Sequence, residues 1–226
     1  MLSLSEIEKL PLHKLVYRIL KESILNGSLK PGDKLVEEII SRKLSISKTP
    51  VREAIRELTQ EGLIIHHSRR GITIIDFTEK DILEIITLRE HIESFGLSLS
   101  IPRFNDEDKK YFQSIINDIY EFEQKKQYKD LVRKDLEFHK ALIEASGHSR
   151  LIKIWSLLES QVLVLLNIID YDMFALHYSG TSHTELLTCI FSGNTHVALS
   201  NLRDHIRTSG KHVLRCIKQG SNTGQL

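Results

Sequence analysis

Cysteine is nearly missing from this chain of 226 residues: only Cys189 and Cys216 occur, and no CxxC pair is present. That excludes a disulfide-stapled scaffold and a cysteine knuckle for metal, and it suits two free thiols in a reducing compartment. A secretory leader is also missing, because "MLSLSEIEKL" carries acids where a basic start and an apolar run are needed. The greasiest run, "VLVLLNIID" from Val162, falls far short of the roughly 20 apolar residues of a membrane helix. A cytoplasmic protein with no membrane partner is therefore expected. Internal repeats and low-complexity stretches are absent, and only the closing "GSNTGQL" reads as a disordered tail.

Neither sign of charge dominates, with 31 Lys+Arg against 30 Asp+Glu and a formal net charge of +1. Residues 1–75 nevertheless carry 13 basic against 9 acidic residues, a balance of +4, leaving 18 against 21, or −3, for the rest. With 41% hydrophobic and 27% charged residues the chain is an ordinary globular protein, and the charge split argues for two units with different partners. The boundary is expected at 76/77.

The front unit, residues 1–76, reads helix, helix, helix, hairpin. Leu12, Leu15, Val16, Ile19 and Leu20 make an apolar stripe that Asn26-Gly27 closes, and "LKPGDKL" is a turn. A short helix over Val36–Leu44 is predicted with Ile39, Ile40 and Leu44 inward. Next comes "SISKTPVREAIRELTQEGLI". Its Val51, Ala54, Ile55 and Leu58 share one helical face, while Lys48, Arg52 and Arg56 share the other. Thr49 is the expected N-cap, Pro50 the first helical residue and Gly62 the residue past the end. "LIIHH" and "GITIID", separated by "SRR", predict a two-stranded hairpin that takes up His66 and His67. By pattern alone the basic helix suits either an anionic partner or a solvated surface.

This stretch resembles the winged helix-turn-helix of the GntR family of bacterial transcription regulators, whose usual form is SRTPVREALRRLEAEGLV. "LKPGDKLVEEIISRKL" before it and "RRGITI" after it extend the resemblance over residues 12–75. The resemblance implies an operator in double-stranded DNA as partner. A helix of this size enters the major groove, and its first residues reach base edges. Arg52 is the candidate base reader. Lys48 and Thr49, with the helix N-terminus, are candidate phosphate holders, and Arg42 and Arg56 touch backbone or solvent. Lys48 stands where most relatives carry arginine, and a lysine cannot make the bidentate fork on guanine. In the wing, Arg69 and Arg70 would reach the minor groove or flanking phosphates, with Gly71 permitting close approach.

Residues 77–226 read as entirely helical. Thr78 and Asp81 form a capping-box pattern ahead of Ile82, Ile85, Ile86, Arg89 and Ile92, and "IPRFNDED" breaks the chain and supplies Asn105 or Asp106 as a cap. Further helices are predicted over 106–126, 128–146, 149–176, 181–192 and 195–218. Asp135 and His139, at i and i+4, face one way; His183 and His205 lie on two later helices. One carboxylate and three imidazoles suit zinc, nickel or manganese, although among 11 histidines such spacing equally suits solvated or hydrogen-bonded rings.

Residues 79–218 resemble the all-helical FCD effector domain of the FadR-like branch of the same family. "DLEFHKALIEASGHSRL" and "SHTELLTCIFSGNTHVALSNLRDHI" resemble its ligand-bearing segments, which implies Asp135, His139, His183 and His205 as metal ligands. His148 stands where relatives often carry Asn, and Ser182 where they carry Glu. Six helical segments point toward the VanR-like subgroup. Arg89 matches an arginine that in relatives faces the effector cavity and could clamp a carboxylate, the alternative being a surface ion pair with Glu93. The resemblance thus implies a mainly α homodimer that responds to a small organic acid, usually as a repressor and not as an enzyme. Two rivals stand beside it: a purely structural metal, and a metal-dependent hydrolase, for which Glu137 and Glu185 are poorly placed as bases.

Overall fold

Val16, Leu20 and Ile24 recur at four-residue intervals on helix α1 (Leu12–Leu25), and all three are buried. The computed structural model describes residues 11–167 and 180–223, except for the side chains of 218–223. It divides into two units, Met1–Asp76 and Phe77–Leu226. In the first, α1 packs on α3 (Lys48–Gln60) through the predicted stripe of Val51, Ala54, Ile55 and Leu58, all buried. Lys14 to Glu57 at 2.8 Å and Lys21 to Glu61 at 2.7 Å tie the flanks of the two helices together. Gly62 ends α3 at φ +72°, with Leu63 N–H donating to Leu58 and Gly62 N–H to Thr59. That pattern satisfies the last carbonyls and needs a residue tolerant of the left-handed region.

Three local expectations are corrected. Ser47 is the N-cap of α3, so Thr49 and Pro50 lie inside its first turn. A proline costs no hydrogen bond there, because the first-turn N–H groups have no intrahelical partner. Ile39 on α2 (Glu37–Leu44) is 50% exposed rather than inward, and Ser41 takes the buried position. The hairpin of β2 (Ile64–His67) and β3 (Gly71–Ile74) gains a third strand, β1 (Lys34–Leu35), in antiparallel order β1-β3-β2. Residues Lys34 and Leu35 are too few to show a period in sequence. They pair with Thr73 and Ile72 because the Pro31-Gly32 turn brings them alongside.

The second unit contributes six α-helices among the described residues: α4 (Glu79–Ser100), α5 (Asp106–Gln124), α6 (Tyr128–Glu144), α7 (Ser149–Leu166), α8 (Gly180–Ile190) and α9 (Thr195–Thr223). The capping box of Thr78 and Asp81 opens α4, and Asn105 with Asp108 opens α5 in the same way. His148 caps α7, its Nδ1 accepting from Leu151 N–H at 3.2 Å, the service an asparagine amide would render. The part of the predicted 149–176 helix beyond residue 167 lies outside the described residues. Gly220–Thr223, read as tail, continue α9, since extending a formed helix costs far less than starting one. No described helix is long and apolar enough to cross a membrane.

Helix α4 packs against α6, α7 and α9. Gly210 lets α9 come close, because a Cβ there would collide with Ile86 of α4. Phe112, Phe138 and Trp155 are the largest fully buried side chains, and Phe112 meets Phe138 edge-on at 5.2 Å between centroids. Phe138 also lies edge-on to His183 at 5.0 Å, so the core aromatic cluster holds that imidazole in place. Phe138→Ala is expected to lower the stability of the second unit by about 3–5 kcal/mol, read from the urea midpoint followed by circular dichroism.

Candidate metal centre and nucleic-acid interface

Helix α6 presents Asp135 and His139 one turn apart, α8 presents His183, and α9 presents His205. One ligand atom from each of the four lies within 4.8 Å of the others. Asp135 and His183 are 0% exposed and His139 is 1% exposed, while His205 is only half-buried. His183 Nε2 stands 3.0 Å and His139 Nε2 3.9 Å from Asp135 Oδ1. The rings of His139 and His183 stand 5.2 and 4.8 Å from that of His205.

A residue that sequence reasoning treated only as Arg89's surface partner organises this cluster. Glu93, 0% exposed, takes Arg89 Nε on one oxygen at 2.7 Å and His139 Nδ1 on the other. The Arg89–Glu93 pair therefore exists, but buried, with Arg89 5% exposed and its guanidinium over the Trp155 ring. The i, i+4 spacing disclosed the pair and not its burial, which depends on α6 and α7 packing over α4. With Nδ1 engaged by Glu93, His139 turns Nε2 toward Asp135, the orientation of a metal-ligating imidazole.

The electrostatics agree. Burial raises the Glu93 carboxyl, but Arg89 and then His139 override it and hold its pKa below the usual value. Burial likewise raises Asp135, yet the adjacent His183 and His139 keep it well below the ordinary carboxylate range. Burial, reinforced by His183 and His139, holds His205 well below the usual histidine value, so its ring is neutral. Among the described residues, Asp135 Oδ2 and His205 Nε2 are buried with no hydrogen-bond partner, and Asp135 Oδ1 faces His183 Nε2 at 3.0 Å. A buried carboxylate so sparsely met is expensive, and a cation at the centre of the four groups would remove that cost. Arg89 balances Glu93, so Asp135 leaves the cluster one negative charge. One carboxylate charge, three imidazoles and the convergence of their ligand atoms together fit a divalent metal.

Glu137 does not approach the cluster; it is held on the outer side of α6 by Lys134 at 3.0 Å and Tyr111 at 3.3 Å. Glu185 is exposed on α8. His66 is exposed on the sheet, and His67 Nε2 lies 2.8 Å from Thr73 Oγ1. Cys189 is a free thiol on α8, outside the four-residue cluster.

In the first unit, Arg42, Lys48, Thr49, Arg52, Arg69, Arg70 and Gly71 are all exposed. Ser45–Ser47 form the turn between α2 and α3, Ser45 taking φ +55° and Ile46 N–H donating to Ser41. Gly71 adopts φ +82° at the wing tip, with open space where a Cβ would be. The cations are not bare. Arg52 Nε pairs with Glu37 at 2.7 Å, and Glu38 lies 3.3 Å from Lys48 and 3.6 Å from Arg42. These two acids at the start of α2 escaped the sequence reading, because only the helix-turn-helix crossing sets them beside α3.

Residues 12–74 match the family model "Bacterial regulatory proteins, gntR family", and residues 84–208 match the FCD domain. The HTH-type transcriptional regulator YdhC of Bacillus subtilis is 25% identical over 216 residues, covering 93% of this chain and 94% of YdhC. The gluconate operon transcriptional repressor of the same organism is 30% identical over 158 residues, 66% of this chain and 63% of that protein. The solved structure of McbR/YncC of Escherichia coli shares the fold, with a TM-score of 0.75 at 18% identity over 91% of this chain and 98% of that one. The metal-free FCD domain of TM0439 superposes with a TM-score of 0.54 at 21% identity over 64% of this chain and 99% of its own. The FCD match alone spans more than half of the sequence, and with the winged helix ahead of it the chain belongs to the GntR family of transcription regulators with an FCD domain.

Proposed function

We propose that this chain is a ligand-responsive transcription regulator whose helical unit binds a divalent metal and, through it, a small organic acid. The observation that carries the reading is the convergence of the ligand atoms of His139, His183 and His205 on the buried Asp135 carboxylate. When bound, zinc, nickel or manganese would supply a Lewis-acidic centre with positions left over for a carboxylate oxygen. Asp135 supplies the negative charge, the three imidazoles supply neutral lone pairs, and Glu93 holds His139 in its tautomer. Arg89 fixes Glu93, and its guanidinium is the positive group that would draw the far end of the acid toward the centre.

On the DNA side, Arg52 reads a base edge from the first turns of α3, and Lys48 and Thr49 hold phosphates. Arg42, Arg69 and Arg70 add backbone contacts, with Gly71 at the wing tip. Glu37 sets the Arg52 guanidinium before DNA arrives, so less rotamer freedom is lost on docking. Two copies would read the two halves of a near-palindromic operator. Leu88 and Phe95 on α4, with Ile154 and Leu157 on the adjoining α7, are exposed apolar residues that suit a self-complementary interface. The effector acts only through unequal affinity for dimer arrangements that differ in the placement of the α3 helices. The regulator named for the gluconate operon is a repressor, which favours repression relieved by the acid here too. Hydrolysis is disfavoured: Glu137 is turned away and Glu93 is committed to Arg89 and His139.

Arg52→Ala should abolish site-specific DNA binding while leaving fold and dimer intact; retained specific affinity in a mobility-shift titration contradicts the docking. Paired His183→Ala and His205→Ala changes should strip the metal, and a wild-type metal content by elemental analysis refutes the ligand set. Chelation of the wild type separates sensor from staple: a sensor stays folded and loses its response to the acid, whereas a staple unfolds. Phe95→Glu should shift the dimer toward monomer in sedimentation velocity, and an unchanged dimer places the interface elsewhere.

A further inference from the structure

His205 belongs to two neighbourhoods. Its Nε2 is buried in the four-residue cluster, and the rest of the residue, which is half-buried, lines a cleft between α8 and α9. That cleft has a volume of about 230 Å³ and is walled by Ser182, Glu185, Asn201, Asp204, His205 and Thr208. Among the described residues every wall residue is polar, both charged ones are carboxylates, and no Lys or Arg lines it. The arginines that flank Asp204 in sequence are drawn to the α4 side of α9. Arg207 makes two bonds to Glu90, at 2.8 and 2.6 Å, and Arg203 Nε lies 3.3 Å from Ser94 Oγ. The α8 side of α9 is therefore acidic, although Asp204 still lends some favourable field to Arg207.

We propose that this cleft is the port through which a divalent cation reaches the buried cluster. Glu185 and Asp204 collect the hydrated ion at the mouth, and His205 is the first ligand it meets. The proposal rests on the metal-binding reading above. Three of the four ligands are at most 1% exposed, and His205 is the member that communicates with solvent. A hydrated cation sheds water reluctantly, and Ser182, Asn201 and Thr208 offer oxygens to hydrogen-bond its remaining waters on the way in. Glu185 and Asp204 also repel a small carboxylate, so this cleft does not admit the acid effector. The same two carboxylates act on the rate of loading and not on the affinity, because neither is among the four ligands.

The test uses the full-length chain stripped of metal by chelation, with Zn²⁺ delivered from a chromophoric indicator in a stopped-flow instrument. Glu185→Gln with Asp204→Asn should slow association by about 3–10-fold at low salt, the size of effect expected from removing local steering charge. The difference should shrink toward nothing at about 0.5 M salt, where the screening length falls to a few ångströms. Stoichiometry and dissociation constant should stay within about twofold of the wild type. A second variant, Asn201→Trp, plugs the cleft and should slow loading and release by the same factor. Unchanged loading in both variants overturns the port, as does a loss confined to affinity or stoichiometry. If the wild type itself takes up no Zn²⁺, the four-ligand reading falls first and takes the port with it, a result distinct from normal uptake by another route.

Discussion

A carboxylate sealed inside a helical bundle among imidazoles is the constraint around which the second unit is organised. Asp135 is fully buried and held ionised; among the described residues its Oδ2 has no hydrogen-bond partner and its Oδ1 faces His183 Nε2 at 3.0 Å. A globular core tolerates such a group only if something positive answers it. Arg89 is paired through Nε with Glu93. Three imidazoles, carried on three helices, gather around Asp135. A cation at the centre of the four groups would answer the Asp135 charge.

The same economy of charge recurs in the first unit at much lower stakes. Glu37 and Glu38 sit at the start of α2 and draw in Arg52, Lys48 and Arg42, all exposed. Exposed pairs contribute little to stability, roughly 0–1 kcal/mol each, so their worth lies in position. A guanidinium held by one neighbour through Nε keeps its two terminal amines directed outward, where a base edge or phosphate can take them. The acids also raise the cost of binding, since a pair that must loosen to meet a phosphate gives back part of the gain.

Much of this was legible in the residues. The α3 stripe of Val51, Ala54, Ile55 and Leu58, the capping box of Thr78 and Asp81, and the turn at Gly62 all follow from local rules, and the folded chain obeys them. Misreadings came where a neighbour outvoted a local preference. Thr49 precedes a proline and looked like a cap, but Ser47 takes that place because the turn from α2 arrives two residues earlier. Strand β1 is two residues long and exists because β3 offers it an edge. Glu93 looked like the surface partner of Arg89, and the i, i+4 spacing was right while the solvent was not.

Periodicity, capping and turn chemistry act over a few residues, so the sequence by itself determined which segments are helical, where most of them stop, and which faces are apolar. It also determined the inventory of ligands and cations, since side-chain identity needs no fold. Only the tertiary structure decided that Asp135, His139, His183 and His205 share one point, that Glu93 supports them from α4, and that His205 also lines a cleft between α8 and α9. Those facts depend on helix crossings between residues far apart in the chain. No local preference encodes a crossing; it is settled by how well whole apolar faces interlock.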